Sequence, residues 1–425
     1  MFAHACKCDS HSLQCAVHTW YHILVRIIIS RNVIGTSADA TFDTEQHKFV
    51  ASSVSDTDAW YLDGKTCLRI DRSIDDLTAC NCIDIDMSPP QRYVTMFSEL
   101  GLDIGISWAH AMPKREVTAF ARQIATNTAD AYNRSSRTYY DGPFVTANKL
   151  LSRLDRARIN ESAFTAALSG TQSHVAASFM PGIDGFARQV IYDRFGTRTG
   201  RMTIAAGPQI LTLAKDLRNI MTSRFKDGSI VVLDYVSFEA QVALVLSGRK
   251  PMPDVYSAVA AEVFGDSVSR DVAKTATLSR IFGIGAAALA KGTGVSSRDI
   301  DGIVRSLDAF FGLDKLSEQI EVTGDKLVNH YGRVIRLPSQ AQHIITNSYV
   351  QSTAADAALL GFSAAVDCIE NECIEVIPLF VIHDALVLDC SQHGLQKMGD
   401  VMRAASVIQG LGDGFPVRMK ALNEA

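Results

Sequence analysis

Two apolar runs, Val231-Val-Leu-Asp-Tyr235 and Phe380-Val-Ile-His-Asp384, each lead into an aspartate, and the two aspartates lie 150 residues apart. Carboxylates at the mouths of buried strands are oxygen ligands of the kind Mg²⁺ prefers. If the strands are neighbours, Asp234 and Asp384 converge and can hold two ions roughly 3.5–4 Å apart, one activating a 3′-hydroxyl and one stabilising a pyrophosphate leaving group. Either aspartate alone reads more simply as the end of a strand. Between them, Arg270, Lys274, Leu278 and Phe282 recur every four residues, drifting slowly around one face of a helix. Two cations a turn apart can clasp a triphosphate, and the apolar positions beyond can support a base. Taken alone, this segment is an amphipathic helix with a charged end. Together the two features supply what nucleotidyl transfer needs.

The elements that must position these residues are legible nearby. Ile230-Val-Val-Leu233 follows the turn pair Asp227-Gly228 and predicts a buried strand, with a helix over 236–248. A strand–turn–strand is expected at 379–389, preceded by an alanine-rich helix over roughly 350–370. Helices are expected through 254–328, with breaks at Gly283, Gly285, Gly292 and Gly294. Residues 91–170 read as largely helical, from the apolar spacing in Val117–Ile124 and Ala147–Leu154. Residues 1–90 read as short strands and turns.

A chain of 425 residues can bury a large core divided among several subdomains. The longest apolar run, Ile23–Ile29, is interrupted by Arg26; it is too short to span a bilayer and lacks the layout of a secretory signal. Nine cysteines, an odd number, point to a reducing compartment rather than a disulfide framework. The expectation is therefore a cytoplasmic protein with no membrane partner. The net charge of −5 does not exclude a nucleic-acid partner, because residues 149–226 carry 12 Lys and Arg against 5 Asp and Glu. Such an excess reads either as a phosphate-facing tract or as a solvated basic surface.

The ordered set of motifs resembles the family A DNA polymerases, the group of bacterial DNA polymerase I, and is closest to the bacteriophage-type members. Asp234-Tyr-Val-Ser-Phe-Glu239 resembles their first palm motif, Arg270-Asp-Val-Ala-Lys274 with Phe282-Gly283 their nucleotide-binding fingers helix, and His383-Asp384 their last palm motif. Thr199-Gly-Arg201, Asp254–Gly265, Tyr331-Gly-Arg333 and Asn347–Asp356 fall in the expected order, so the resemblance covers about residues 180–390.

The resemblance implies an α+β right-hand fold: a palm with an antiparallel sheet, helical fingers and thumb, and a small N-terminal α/β or degenerate exonuclease-like region. The implied divisions are 1–90 (N-terminal region), 91–178 (thumb-like), 179–250 (palm), 251–340 (fingers) and 341–425 (palm again). It implies Asp234 and Asp384 as metal ligands for two Mg²⁺ ions, replaceable by Mn²⁺, with the Tyr235 carbonyl as a backbone ligand. Arg270 and Lys274 would bind the triphosphate, Lys274 also neutralising or protonating the leaving pyrophosphate. Glu239 would be the steric gate against a ribose 2′-hydroxyl, with Phe282 packing beside it; Tyr256 and Leu278 would complete the nucleotide site. Arg201, His343, Asn347, Gln351 and His383 would meet primer–template DNA, testing pair geometry through minor-groove acceptors that all correct pairs share. The partners implied are primer–template DNA, dNTPs and replication accessory proteins.

The sequence departs from the family pattern where Leu278 replaces an aromatic, Tyr256 a histidine, Phe282 a tyrosine, His343 an arginine, Ala385 an acidic residue and Gln241 an arginine. These bear on speed and fidelity more than on the reaction. A single-subunit RNA polymerase, and a primer–template-binding protein that has lost efficient catalysis, remain as alternative readings.

Phe42-Asp-Thr-Glu45 resembles the opening motif of a proofreading exonuclease, but the stretch before residue 91 is short for such a domain and no closing motif follows; a chance or vestigial Asp43/Glu45 pair is the simpler reading. Cysteines and histidines gather at His4, Cys6, Cys8, His11, Cys15, His18 and His22, with Cys67, Cys80 and Cys82 beyond. They could ligate zinc, yet their spacing matches no familiar finger, so free side chains are expected.

Overall fold

Four short strands come first in the computed structural model, which describes residues 26–29, 40–43, 48–51, 59–62, 91–101, 137–283, 290 and 300–422, with isolated positions between 113 and 127. The chain divides into two units. In the first, β1 (Arg26–Ile29), β2 (Ala40–Asp43), β3 (Lys48–Ala51) and β4 (Ala59–Leu62) form one sheet in the order β3-β2-β1-β4. β1 runs parallel to β4 and antiparallel to β2. Helix α1 (Gln91–Glu99) belongs to the same unit; its Tyr93 hydroxyl donates to Glu116 at 2.5 Å, and Arg92 pairs with the same carboxylate. Of the helix expected at Val117–Ile124, Ala119 and Gln123 are described, both helical. Glu45, the whole N-terminal Cys/His cluster, and Gly285, Gly292 and Gly294 lie outside the described residues.

The second unit is organised around an antiparallel sheet of β5 (Ser229–Tyr235), β6 (Val376–Ile382), β7 (Ala385–Cys390) and β8 (Val417–Ala421), in the order β6-β7-β5-β8. Runs of Val, Ile and Leu suit a sheet packed on its faces; β7 is buried at every position. Its one carboxylate, Asp389, accepts hydrogen bonds from the Ser223 hydroxyl and from the Arg224 amide at 3.0 Å.

The helices of this unit, in order, include α2 (Val145–Ser152), α3 (Phe238–Leu246), α4 (Val255–Phe264), α5 (Arg270–Ile281), α6 (Ile300–Phe311), α7 (Gln342–Asn371) and α8 (Gln392–Ala405). Asp254 caps α4 by accepting from the Tyr256 and Ser257 amides, and Ser269 caps α5 by accepting from Val272. α4, α5 and α6 share an apolar core that includes Val259, Phe264, Ala273, Ile281, Leu307 and Phe311.

Helix α7 begins eight residues before the expected position 350. By length and composition it could cross a bilayer, yet 78% of its apolar window is buried within the protein, which marks it as a core helix. The Tyr235 ring lies 4.3 Å from that of Phe238 and 5.1 Å from that of Phe362 on α7. Its hydroxyl donates to the Ala405 carbonyl at 2.6 Å, an approach that only glycine at 361 permits, because a Cβ there would sit 1.9 Å from the hydroxyl oxygen.

The expectation of helices throughout 254–328 fails near its end. Val322–Thr323, Lys326–Val328 and Val334–Arg336 form a three-stranded antiparallel sheet. The two-residue turn Gly324-Asp325 between Thr323 and Lys326, with Gly324 at φ 60°, is the hairpin signal that helical spacing had masked.

The loop of this sheet, α7 and the segment before α2 meet at a buried ionic cluster. Asp356, 1% exposed, accepts from Arg333 at 2.7 and 3.0 Å, from Asn329 at 2.8 Å and from the Tyr139 hydroxyl at 2.9 Å, with Arg194 at 3.6 Å. Burial alone would raise its pKa; the Arg333 guanidinium reverses that and holds it below the ordinary carboxylate value.

Candidate active site

Strand pairing closes the 150-residue gap between the two aspartates. Ala385 on β7 stands opposite Asp234 on β5, and Asp384 sits one residue earlier, in the two-residue turn joining β6 to β7. That turn places His383 at φ 54°, in the left-handed region which tight hairpin turns require. The Tyr235 amide donates to the Asp384 carbonyl at 3.2 Å, locking the turn to the end of β5. The chain then reverses through Ser237, at φ 56°, into α3, which carries Glu239 in its first turn.

These ends open into a cavity of about 380 Å³ lined by Asp234, Tyr235, Glu239, Asp384 and His383 on one side. Tyr256, Arg270, Lys274 and Leu278 line it from α4 and α5, and Arg201 and Gln351 also reach it. Tyr235 contributes backbone, since its side chain is buried in the core. Phe282 lies outside the lining: half-buried, it packs against the α4–α6 core. His343 and Asn347 also lie outside it. His343 packs against Gly283 just beyond α5, and the Asn347 side-chain oxygen is buried without a hydrogen-bond partner.

Every anionic side chain of the cavity except Asp384 meets a cation. Asp234 Oδ2 accepts from Arg418 Nε at 3.0 Å and Nη2 at 2.9 Å, and from Lys420 Nζ at 2.9 Å. Glu239 pairs with Arg201. Arg270 is held by the cap residue Asp254 at 2.7 Å, with its guanidinium 5.3 Å from the centre of the Tyr256 ring. Burial would raise the pKa of Asp254, but the Arg270 and Ser257 hydrogen bonds bring it below the ordinary value. Lys274 is exposed and has no carboxylate partner among the described residues. Asp384 differs: burial, reinforced by the charges of Asp234 and Glu239, pushes its pKa up to about 6. Burial, then the Arg201 charge, depresses that of His383.

Arg418 and Lys420, which touch the first aspartate, escaped the sequence reading, as did the Asp254–Arg270 and Arg201–Glu239 pairs. The alternation of Val417, Met419 and Ala421 with Arg418 and Lys420 is a strand signal that could have found the first two. Gln241, which replaces an arginine of the family pattern, is buried and accepts from the Met252 amide at 2.9 Å, fixing the loop before α4. The basic tract 149–226 is also less free than its charge count implied: Arg153, Arg156, Arg194, Arg201 and Arg224 all hold carboxylates.

The oxygen donors suit Mg²⁺ or Mn²⁺. The pKa of Asp384 is raised first by burial and then by the Asp234 and Glu239 charges, and a cation beside it would offset both. Among the described residues no three His, Cys, Asp or Glu side chains come close enough together to hold one metal ion, so other ligands would be backbone, water or substrate oxygen.

The profile of DNA polymerase family A matches residues 189–410, which include every cavity residue named above except Arg418. The chain belongs to DNA polymerase family A. The DNA polymerase of Mycobacterium phage D29 is 27% identical over 176 residues, covering 37% of this chain and 29% of that protein. The corresponding protein of Mycobacterium phage L5 is 27% identical over 168 residues, covering 37% and 28%. The chain thus aligns with less than a third of the length of these two relatives. Among solved structures, the POL domain of Pol1 from M. smegmatis, in complex with DNA primer-template and dNTP, superposes with a TM-score of 0.62 at 11% identity. That match covers 87% of each chain, and it establishes the α+β family A fold.

Proposed function

We propose that this chain is a template-dependent DNA polymerase that adds deoxynucleotides to a primer 3′-end. The observation that carries the proposal is the convergence on one cavity of Asp234, Asp384, Glu239, Arg270 and Lys274, drawn from three separate segments. In this reading residues 179–250 and 341–425 form the palm, 251–340 the fingers and 91–178 a thumb-like region. Asp234, Asp384 and the Tyr235 carbonyl would hold two Mg²⁺ ions, which when bound supply activation of the 3′-hydroxyl and neutralisation of charge at the phosphates.

The remaining steps belong to side chains. Arg270 and Lys274, a turn apart on α5, bind the triphosphate; the exposed Lys274 ammonium is free to follow the pyrophosphate and to give it a proton. Tyr256 and Leu278 wall the base and sugar. Glu239 occupies the space a ribose 2′-hydroxyl would need, which disfavours the RNA polymerase reading. Arg201, Gln351 and His383 line the primer side, with His343 and Asn347 nearer the start of α7. Primer–template DNA, dNTPs and replication accessory proteins are the partners of such an enzyme, which would work in bacterial or virus-infected cytoplasm without a membrane.

Extension of a primed template with dNTPs and Mg²⁺ tests the proposal. Wild-type protein should extend the primer, and Asp234→Ala should abolish extension; normal extension by that variant would remove Asp234 from the site. Glu239→Ala should lower discrimination against rNTPs by roughly 10–200-fold, the range for one steric element of a pocket. The ratio of dNTP to rNTP incorporation on one template measures it. Binding of primed DNA with no extension under any metal would favour a catalytically inactive family member.

A further inference from the structure

Strand β8 brings two cations to a carboxylate that the proposed reaction needs for metal. The register decides this: Arg418 stands directly opposite Asp234, and Lys420 follows two residues later on the same face of the sheet. All three donated hydrogen bonds fall on Asp234 Oδ2. Asp234 is only 20% exposed and Lys420 only 25%, so water screens the pair incompletely. On the far side of Asp234 the register partner is Ala385, where an acidic side chain would have added a competing charge. Asp384 receives no such cation. The two aspartates are thus unlike: one is already neutralised by the protein, the other is not.

We propose that Arg418 and Lys420 set the metal affinity of the site by competing with a divalent cation for Asp234 Oδ2. Without metal they hold Asp234 Oδ2 in place; with metal they must share or surrender that oxygen. The inference rests on the reading of Asp234 as a metal ligand. It explains how Asp234 is held in place before metal arrives, and it makes the metal requirement a property of β8 as well as of the aspartates.

The test is direct Mn²⁺ binding to the full chain, read as free Mn²⁺ by electron paramagnetic resonance, with no nucleotide or DNA present. Arg418→Gln/Lys420→Gln should bind Mn²⁺ roughly tenfold more tightly than wild type, the expected return for removing charge-assisted hydrogen bonds to one oxygen. The same variant should melt at lower temperature in EDTA and recover with Mn²⁺. Arg418→Lys should keep wild-type affinity, because charge rather than shape is at issue. If the double variant does not fold, the single Lys420→Gln carries the same prediction with a smaller gain. Unchanged or weaker Mn²⁺ binding in these variants, while Asp234→Ala loses binding, overturns the competition and leaves Asp234 as a ligand. Wild-type Mn²⁺ binding in Asp234→Ala overturns both.

Discussion

Asp384→Asn should cost primer extension roughly three orders of magnitude, yet leave the metal-free protein at least as stable as its parent. The loss follows because an amide cannot replace the carboxylate, and several kcal/mol of transition-state stabilisation depend on the metal it would hold, at about 1.4 kcal/mol per tenfold in rate. The stability has the opposite sign. Asp384 titrates in the folded protein at about 6 against an ordinary 3.8, chiefly because it is buried. The folded state therefore holds its proton over a range where the unfolded chain has lost it, and stability declines as pH rises from about 4 to about 6. Above that window the full penalty, on the order of 3 kcal/mol, is present in the absence of metal. Asparagine carries none of it. Urea unfolding in EDTA at pH 5 and pH 8, for parent and variant, measures this: the parent should fall relative to the variant between those values. A variant that is clearly less stable at pH 8, or that still extends primers normally, would contradict this account.

The second large effect is far from the reacting atoms. Asp356→Ala should destabilise the fold by about 3–5 kcal/mol, the range for removing one partner of a buried ion pair. Both Arg333 and Arg194 are almost fully buried, and Asp356 is a carboxylate they share. The effect should spread to the cavity. Gly200 accommodates the Arg333 guanidinium so closely that a Cβ would lie 2.7 Å from it, and Arg201, the partner of Glu239, is the next residue. Lower rNTP discrimination should therefore accompany the lower urea midpoint. Tyr139→Phe, which removes the hydrogen bond to Asp356 and the one the hydroxyl accepts from Arg194 at 3.2 Å, should cost about 2 kcal/mol. A change below that value in Asp356→Ala would show that water replaces the carboxylate without loss.

Asp234, Asp384, Arg270 and Lys274 could be singled out in the sequence because each sits in a local pattern, while Glu239 was reached through the family resemblance. A strand end and a four-residue recurrence can both be recognised within a dozen residues. β5, α5 and the β6–β7 hairpin were visible for the same reason. What could not be read was partner choice. Arg201, Arg270 and Arg418 each pair with a carboxylate supplied by another element, and no periodicity in one segment reveals what another will place beside it. Phe282 shows the same gap: its spacing put it on the face of Lys274 and Leu278, while the end of α5 turns it into the α4–α6 core. Short strands such as Lys326–Val328 were hidden because three residues fit either period.

The order β6-β7-β5-β8 also has a meaning in time. β5 sits in the middle of its sheet, yet both neighbours, β7 and β8, come far later in the chain. During synthesis at about 5–20 residues per second, Asp234 emerges some tens of seconds before Arg418 exists to meet it. Until Asp384 and β7 follow, its strand has two open edges and its carboxylate no companion, and the cations of β8 come later still. Contacts of such long sequence separation form slowly, so the cavity is assembled last, and an interrupted chain carries the aspartate without the centre it serves.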